Sequence, residues 1–348
     1  MNKLRVGAIG SGYWGPNLIR NFVDLPDSEL VVVADMRQER LDHMKRLYPS
    51  IEITTDYHDL FTMELDAVVI ATPPFTHFDI AKDCLEHGLS CMIEKPITTD
   101  SQQAEALVEL AEQRGLKLMV GNTFEYNVAV HKLRDLIASG ELGDVYYIDA
   151  VRTNLGLYQR NLNVMWDLAP HDISILLHVL GMDPVSVSAQ GGKNIAPSIH
   201  DVVYMHMQFP NNVMAHIHVS WLHPRKDRSI TVVGSKKMVI YDDVEPLEKI
   251  KIYDKGVDAP PYADTFADFQ FSYRYGDVIT PYIKFTEPLR MECQHFVDCV
   301  KNGKRPNTDG VVGWKIVKIL EAAERSLQNG GTQEAVNFSD IKLAEPAL

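Results

Sequence analysis

The first 120 residues alternate short apolar runs with amphipathic stretches. Residues 4–9 (LRVGAI), 30–34 (LVVVA), 66–71 (DAVVIA), 90–94 (SCMIE) and 116–120 (LKLMV) read as strands, most of them apolar enough to be buried on both faces. Between them, residues 16–22, 37–48, 78–86 and 101–114 read as helices, the last ended by Gly115. Strand and helix in turn predict a parallel sheet wrapped on both faces.

After Asn122 the pattern changes. Helices at 129–139 and 173–180, the second ended by Gly181, flank a strand at 145–152. Strand-like segments then follow one another at 185–190, 202–209, 213–221, 230–233, 237–241 and 249–253. The stretch 213–221 alternates cleanly, with Val213, Ala215, Ile217, Val219 and Trp221 on one face and Met214, His216, His218 and Ser220 on the other. A period of two marks a sheet between two different environments. Gly234-Ser235 reads as a hairpin turn, residues 256–277 as a loop, and 288–301 and 313–328 as helices. The expected fold is α/β: an N-terminal doubly wound parallel sheet of Rossmann type over residues 1–122, and over 123–348 a C-terminal α+β domain with a large, mostly antiparallel open sheet.

The chain has 348 residues, 45% hydrophobic and 23% charged, the make-up of an ordinary globular protein of about two domains. A formal net charge of -13 argues against nucleic acid or an anionic membrane as partner. It leaves room for an anionic small molecule, because local Arg and helix N-termini override the global field. Four cysteines (Cys84, Cys91, Cys293, Cys299) without CxxC spacing read as reduced thiols. The opening MNKLRVGAIG carries no leader pattern and no apolar run approaches a membrane span, so a cytoplasmic protein is expected.

Chemistry first enters at Gly10-x-Gly12-x-x-Gly15, between a strand and a helix. Gly10 permits the tight turn, Gly12 lets backbone approach a pyrophosphate, and Gly15 lets the helix pack on its strand. The pyrophosphate then meets a helix N-terminus. Asp35 falls at the end of the second strand, where a carboxylate accepts hydrogen bonds from ribose hydroxyls and repels a 2′-phosphate. NAD is therefore the expected cofactor, with Arg37 and Arg40 close enough to weaken the preference over NADP. Ser11, Tyr13 and Trp14 in the loop, and Met36 and Arg37 after the acid, complete this half of the candidate site.

Three further pieces lie where such a site belongs, beyond the carboxyl ends of the strands: Thr72-Pro73-Pro74 with His77, Glu94-Lys95-Pro96, and Asp167-x-x-x-His171. Asp167 and His171 share a face at a helix start, provided Pro170 lies in the first turn. Singly, each has a plainer reading: a helix cap, an extended Lys-Pro dipeptide, a helix-start histidine. As an ordered set over the whole chain, they resemble the glucose–fructose oxidoreductase / inositol dehydrogenase / MocA family. The resemblance implies that Lys95 reaches the reacting hydroxyl, with Lys95–Pro96 cis. His171 is then the general base, and Asp167 pairs with Lys95. Thr72, Pro73, His77, Glu94 and Asn122 would line the nicotinamide side, although many relatives carry His at the position of Asn122.

Residues 123–127 (TFEYN), 163–172 (NVMWDLAPHD) and 224–228 (PRKDR) are similar to nucleotide-sugar dehydrogenases of surface-polysaccharide pathways. That finer likeness implies oxidation of the C3 hydroxyl of UDP-N-acetylglucosamine or its uronic acid to a 3-keto sugar. Tyr126 and Asn163 join the substrate side, and Arg152, Arg225 and Arg228 are candidate partners for diphosphate or carboxylate. A solvated surface role is the plain alternative for each Arg. A dehydrogenase or keto-reductase for a free sugar, an inositol or a deoxysugar nucleotide is the second reading, and a non-catalytic dinucleotide sensor the third. No metal is expected: His216 and His218 point the same way from one strand, but no carboxylate or cysteine stands at ligand spacing. The family resemblance implies a homo-oligomer, a tetramer or dimer, built by the open sheet of the second domain, and an uncovered apolar sheet face fits that implication.

Overall fold

The computed structural model describes residues 3–258 and 271–338. In chain order the first part comprises β1 (Leu4–Ile9), α1 (Gly15–Asp24), β2 (Ser28–Ala34), α2 (Gln38–Leu47), β3 (Glu52–Thr54), β4 (Ala67–Ile70), α3 (His77–Glu86), β5 (Ser90–Glu94), α4 (Ser101–Arg114) and β6 (Leu118–Gly121). The second comprises α5 (Val128–Ala138), β7 (Val145–Leu155), α6 (Val164–Leu180), β8 (Ser186–Gly192), β9 (Val202–Gln208), β10 (Met214–Ser220), β11 (Leu222–Gly234), β12 (Met238–Asp242), β13 (Ile250–Asp258) and β14 (Ser272–Ile279). The chain ends with α7 (Pro288–Asn302), α8 (Gly310–Gln328) and β15 (Glu334–Ala335).

The first six strands are all parallel, in the order β3-β2-β1-β4-β5-β6. Every residue of β4 is buried, as befits a strand covered on both sides. Its helices end as their sequences dictate: Asp100 accepts from the backbone N–H groups of Gln102 and Gln103 to open α4, and Gly115 closes it at φ 66°. The strand order reverses between β1 and β4, so a crevice opens at the carboxyl ends there.

The chain divides into two compact units: residues up to Tyr126 with Thr286–Glu321, and Asn127–Phe285 with Ala322–Asn337. This division differs from the expected one in returning the first part of α8, through Glu321, and the whole of α7 to the first unit. For α7 the reason lies in its apolar face. Leu289, Cys293, Phe296 and Val297 enter the same core as Phe22 and Met44, and Phe296 meets Phe22 edge-on at 6.4 Å between ring centres.

The second unit is built on a nine-stranded sheet in the order β14-β13-β12-β11-β7-β10-β9-β8-β15. All pairings are antiparallel except β7 with β10. Gly234 accepts its place in the β11–β12 turn through a backbone bond from its N–H to the carbonyl of Lys237. The expected loop at 256–277 is corrected at both ends, which are strand; 259–270 lies outside the described residues.

The apolar face of this sheet is covered, not open. Ala215, Ile217 and Val219 of β10 and Met205 of β9 are buried, with α6 packed across β7, β9 and β10. What faces outward is polar and aromatic: Tyr147, Tyr204 and Met214 are 38%, 43% and 52% exposed, alongside His206, His216 and His218. His206 and His216 stack at 4.7 Å, and Tyr204 stacks on His218 at 4.3 Å. The missing carboxylate also arrives from another strand. The parallel register sets Asp149 of β7 beside His216, at 3.8 Å, which sequence spacing could not reveal. Among the described residues no group of three or more His, Cys, Asp or Glu is placed to hold a metal ion.

Candidate active site

The glycine loop leaves β1 at its carboxyl end. Gly10 takes φ +94°, and a Cβ there would sit 2.7 Å from the carbonyl oxygen of Ala71. Gly15 is fixed by packing alone, since a Cβ would lie 2.1 Å from the carbonyl oxygen of Gly10. Gly12 is different: a methyl group would meet only the movable end of Arg40, at 3.2 Å. The fold itself does not demand a glycine at 12, so its smallness serves whatever approaches the loop from outside.

Asp35 follows β2 and is tied to the same loop. Its Oδ2 accepts from the N–H (2.8 Å) and hydroxyl (3.0 Å) of Ser11, and its Oδ1 from the N–H of Arg37 (3.0 Å). Arg40 lies 3.5 Å away. Burial alone would raise its pKa, but these bonds and the Arg40 charge outweigh it and hold the carboxyl below its ordinary range. Asp35 is thus a fixed anion with acceptor capacity left for a ribose. Tyr13 and Met36, 86% and 91% exposed, stand at the surface near it.

At the ends of β4 and β5 the two turns are joined by one side chain. His77 is fully buried, with Nδ1 2.9 Å from the carbonyl oxygen of Pro96 and Nε2 2.9 Å from that of Thr72. Burial disfavours the charged ring and pushes its pKa down, and in its neutral form the ring can donate to only one of the two carbonyls. His77, expected to line the nicotinamide side, is packed between the two turns. It braces the Thr72-Pro73 turn against the Glu94-Lys95-Pro96 turn, whose Lys95–Pro96 bond is cis. Thr76 adds a hydroxyl bond to Thr72 at 2.7 Å.

Glu94, Lys95 and Asn122 close the same edge of the sheet, at the ends of β5 and β6. Glu94 Oε1 is shut off from solvent without a hydrogen-bond partner. Asn122 is 1% exposed, and neither amide atom has a partner. Buried polar atoms are nearly always paired. These orphans, with the glycine cradle and the Asp35 anion, are what a dinucleotide's amide and hydroxyl groups would satisfy. The residues present fit NAD.

In the second unit, Asp167 and His171 lie on α6, one turn apart. That helix starts at Val164 rather than at residue 173, because the side chain of Asn163 caps it by accepting from the N–H groups of Met165 and Trp166. Pro170 therefore sits inside the helix, beyond the first turn, and removes the ladder bond to the carbonyl of Trp166. Asp167 is not the cap. Its Oδ2 accepts from the indole N–H of Trp221, at 3.0 Å. Trp221, 2% exposed, ends the apolar face of 213–221, and its bond to Asp167 carries no signal in the sequence.

Several expected substrate residues are otherwise engaged. Asn163 spends its Oδ1 on the cap and its Nδ2 on Glu324, at 2.9 Å. Tyr126 is 3% exposed, its hydroxyl 3.0 Å from that of Thr308. Arg152 is 5% exposed and forms a two-pronged pair with Asp172, Nε to Oδ2 at 2.8 Å and Nη2 to Oδ1 at 2.9 Å. Arg228 leans 3.7 Å from Asp243, which also accepts from Tyr241. Arg225 stands exposed where β11 departs from β7, and it makes no ion pair among the described residues.

Comparison with known proteins agrees with this layout. Residues 4–122 match the model of an oxidoreductase family with an NAD-binding Rossmann fold, and residues 130–240 match the GFO/IDH/MocA C-terminal domain. A UDP-N-acetylglucosamine 3-dehydrogenase of Acidithiobacillus ferrooxidans is 26% identical over 338 residues, covering 94% of this chain and 100% of that protein. A scyllo-inositol 2-dehydrogenase (NAD(+)) of Bacillus subtilis is 25% identical over 342 residues, covering 94% and 95%. Among solved structures, that of the A. ferrooxidans 3-dehydrogenase superposes with a TM-score of 0.79 at 24% identity, over 94% of this chain and 99% of the other. GenD2 from gentamicin A biosynthesis, solved in complex with NAD, gives 0.82 at 21% over 97% of each.

Proposed function

Because the chain belongs to the GFO/IDH/MocA family and is an NAD-dependent oxidoreductase, we propose that it oxidises the C3 hydroxyl of a nucleotide sugar, UDP-N-acetylglucosamine or its uronic acid, to the 3-keto sugar. The observation that carries the substrate is the end-to-end likeness to the A. ferrooxidans UDP-N-acetylglucosamine 3-dehydrogenase. A near-equal likeness to the scyllo-inositol dehydrogenase favours a second reading, in which the alcohol belongs to a cyclitol. Both substrates present a secondary alcohol on a six-membered ring.

The bound nicotinamide supplies the hydride acceptor; the rest falls to the chain. Gly10, Ser11 and Gly12 cradle the pyrophosphate, Asp35 grips the adenosine ribose, and Glu94 and Asn122 take the nicotinamide half. His171 removes the hydroxyl proton, a task suited to a neutral imidazole. The ammonium of Lys95 stabilises the alkoxide as it develops. Asp167, steadied by Trp221, orients the cationic partner. Arg225 is the arginine left to meet a diphosphate or carboxylate. The outward Tyr–His–Met face of the large sheet is the proposed contact between copies in a dimer or tetramer, and no helix among the described residues is long and apolar enough to cross a membrane.

The test is NADH formation across a panel of UDP-sugars, free sugars and inositols, with wild type, Lys95→Ala and His171→Ala. Turnover confined to UDP-sugars supports the first reading, and turnover confined to inositols the second. Loss of His171 is expected to lower kcat about 10²–10⁴-fold while NAD binding without substrate is kept. A His171→Ala enzyme with wild-type kcat at every pH would remove the base assignment. No turnover by wild type on any panel member, with NAD still bound, would favour the sensor.

A further inference from the structure

The first unit holds a second carboxyl that the reaction above does not use. Glu292, on the inner face of α7, is 0% exposed. Its Oε2 accepts from the hydroxyl of Thr123 at 2.8 Å, and its Oε1 has no hydrogen-bond partner. Glu94 lies against the adjoining backbone, where a Cβ on Gly121 would come within 2.9 Å of its Oε1. Consecutive residues therefore meet Glu94 (Gly121), present an amide without partners (Asn122) and bond Glu292 (Thr123). An acidic pair alone could be a folding compromise. The buried amide of Asn122, with both atoms unsatisfied beside it, points to a polar ligand at this spot.

The charged and titratable groups facing the pair come from four elements. The indole of Trp14, before α1, favours the ionised form of Glu94, and Lys95, next along the chain, brings a positive charge. Glu125, after β6, adds a negative one, and the thiol of Cys293 on α7 is pushed up by burial and then by both carboxyls. Two carboxyls in a medium of low dielectric do not both ionise cheaply, so one of them favours its neutral form.

We propose that Glu94, beside the buried carboxyl of Glu292, holds an exchangeable proton at the nicotinamide end of the cofactor site, which it gives up when the oxidised, cationic ring binds and keeps when the reduced, neutral ring binds. This rests on the reading that Glu94 faces that ring. The balance is simple: protonated protein and NAD+ give the complex and one proton, which passes to the buffer. Burial pushes Glu94 up to about 7 against the pull of Lys95, whereas burial and the neighbouring Glu94 push Glu292 well above the carboxylate range. Glu292 thus favours its neutral form, and Glu94 is the carboxyl that exchanges. A nearby cation, and hydroxyls donating to the charged form, lower the pKa of Glu94 in the complex. Its ionised form is the better binder of NAD+, so NAD+ affinity is weak on the acid side and rises with pH until Glu94 is ionised without the cofactor.

The experiment is titration calorimetry of NAD+ and NADH in two buffers of different ionisation heat. Near pH 6, binding of NAD+ is expected to release close to one proton and NADH close to none, and the NAD+ Kd should tighten up to about tenfold per pH unit below neutrality. Glu94→Gln should abolish the release and flatten the profile. Glu292→Gln, a neutral group of the same shape, should retain both. Equal release for the two redox forms overturns the linkage but leaves Glu94's contact with the cofactor standing. If Glu94→Gln binds both forms as wild type does, the contact falls as well, and the proposal with it. Release that survives Glu94→Gln but is lost in Glu292→Gln also overturns it.

Discussion

Replacing Asp172 by Asn or Arg152 by Met separates a structural arginine from a substrate-binding one. Both side chains are almost wholly buried, at 1% and 5% exposure, and two bonds of 2.8 and 2.9 Å join them. Removing one partner leaves a buried charge without its counter-ion, which typically costs about 3–5 kcal/mol. In a unit of this size, each kcal/mol moves Tm by about 2–4 °C, so a fall of roughly 6–20 °C is expected for either single variant. The double variant Arg152→Met/Asp172→Leu should recover most of that loss, because an apolar pair of similar volume suffers no desolvation penalty. Asp243 and Tyr241 also contribute to the surroundings of Arg152, so the recovery will not be complete. The assay is calorimetric unfolding of the three variants beside wild type, with KM for the sugar measured on each. If Arg152→Met unfolded within about 2 °C of wild type, far less than a broken buried pair predicts, while KM rose strongly, the structural assignment would be wrong and Arg152 would be a substrate ligand.

Trp221→Phe removes the indole bond to Asp167 while keeping the ring. A bond to a charged group is worth about 1.5–3 kcal/mol, so kcat should fall by up to about a hundredfold with NAD affinity unchanged; an equal loss of both would mean misfolding instead. Asp35→Ala should narrow the preference for NAD over NADP, measured as the ratio of the two dissociation constants. Its lowered pKa means the ionised form persists at neutrality and is lost only as pH falls through that lowered value. Any change in NAD affinity around neutrality therefore does not come from Asp35, and Asp35→Ala should retain it. Light scattering should return a dimer or tetramer; a monomer that persists across micromolar concentrations would refute assembly through the outward sheet face, and His216→Glu placed in that face beside Asp149 should weaken the assembly.

The sequence by itself determined the parallel sheet and the cofactor loop, because both are written in local order. A buried strand of LVVVA type, a helix ended by glycine and a GxGxxG turn each carry their physics within a few residues, and β5 and α4 fall where the apolar pattern places them. Asp35 was legible for the same reason, one residue past its strand. Tertiary structure decided the contacts between residues far apart in the chain. Whether Arg152 faces a substrate or Asp172 depends on how β7 meets α6, and whether His77 meets a cofactor or two carbonyls depends on how the β4 and β5 turns pack. The return of α7 to the first core, the bond from Trp221 to Asp167, and the burial of Glu292 by Thr123 belong to the same class. A side chain's chemistry is fixed by its type, but its partner, its solvent and hence its charge are fixed by neighbours that only folding brings near.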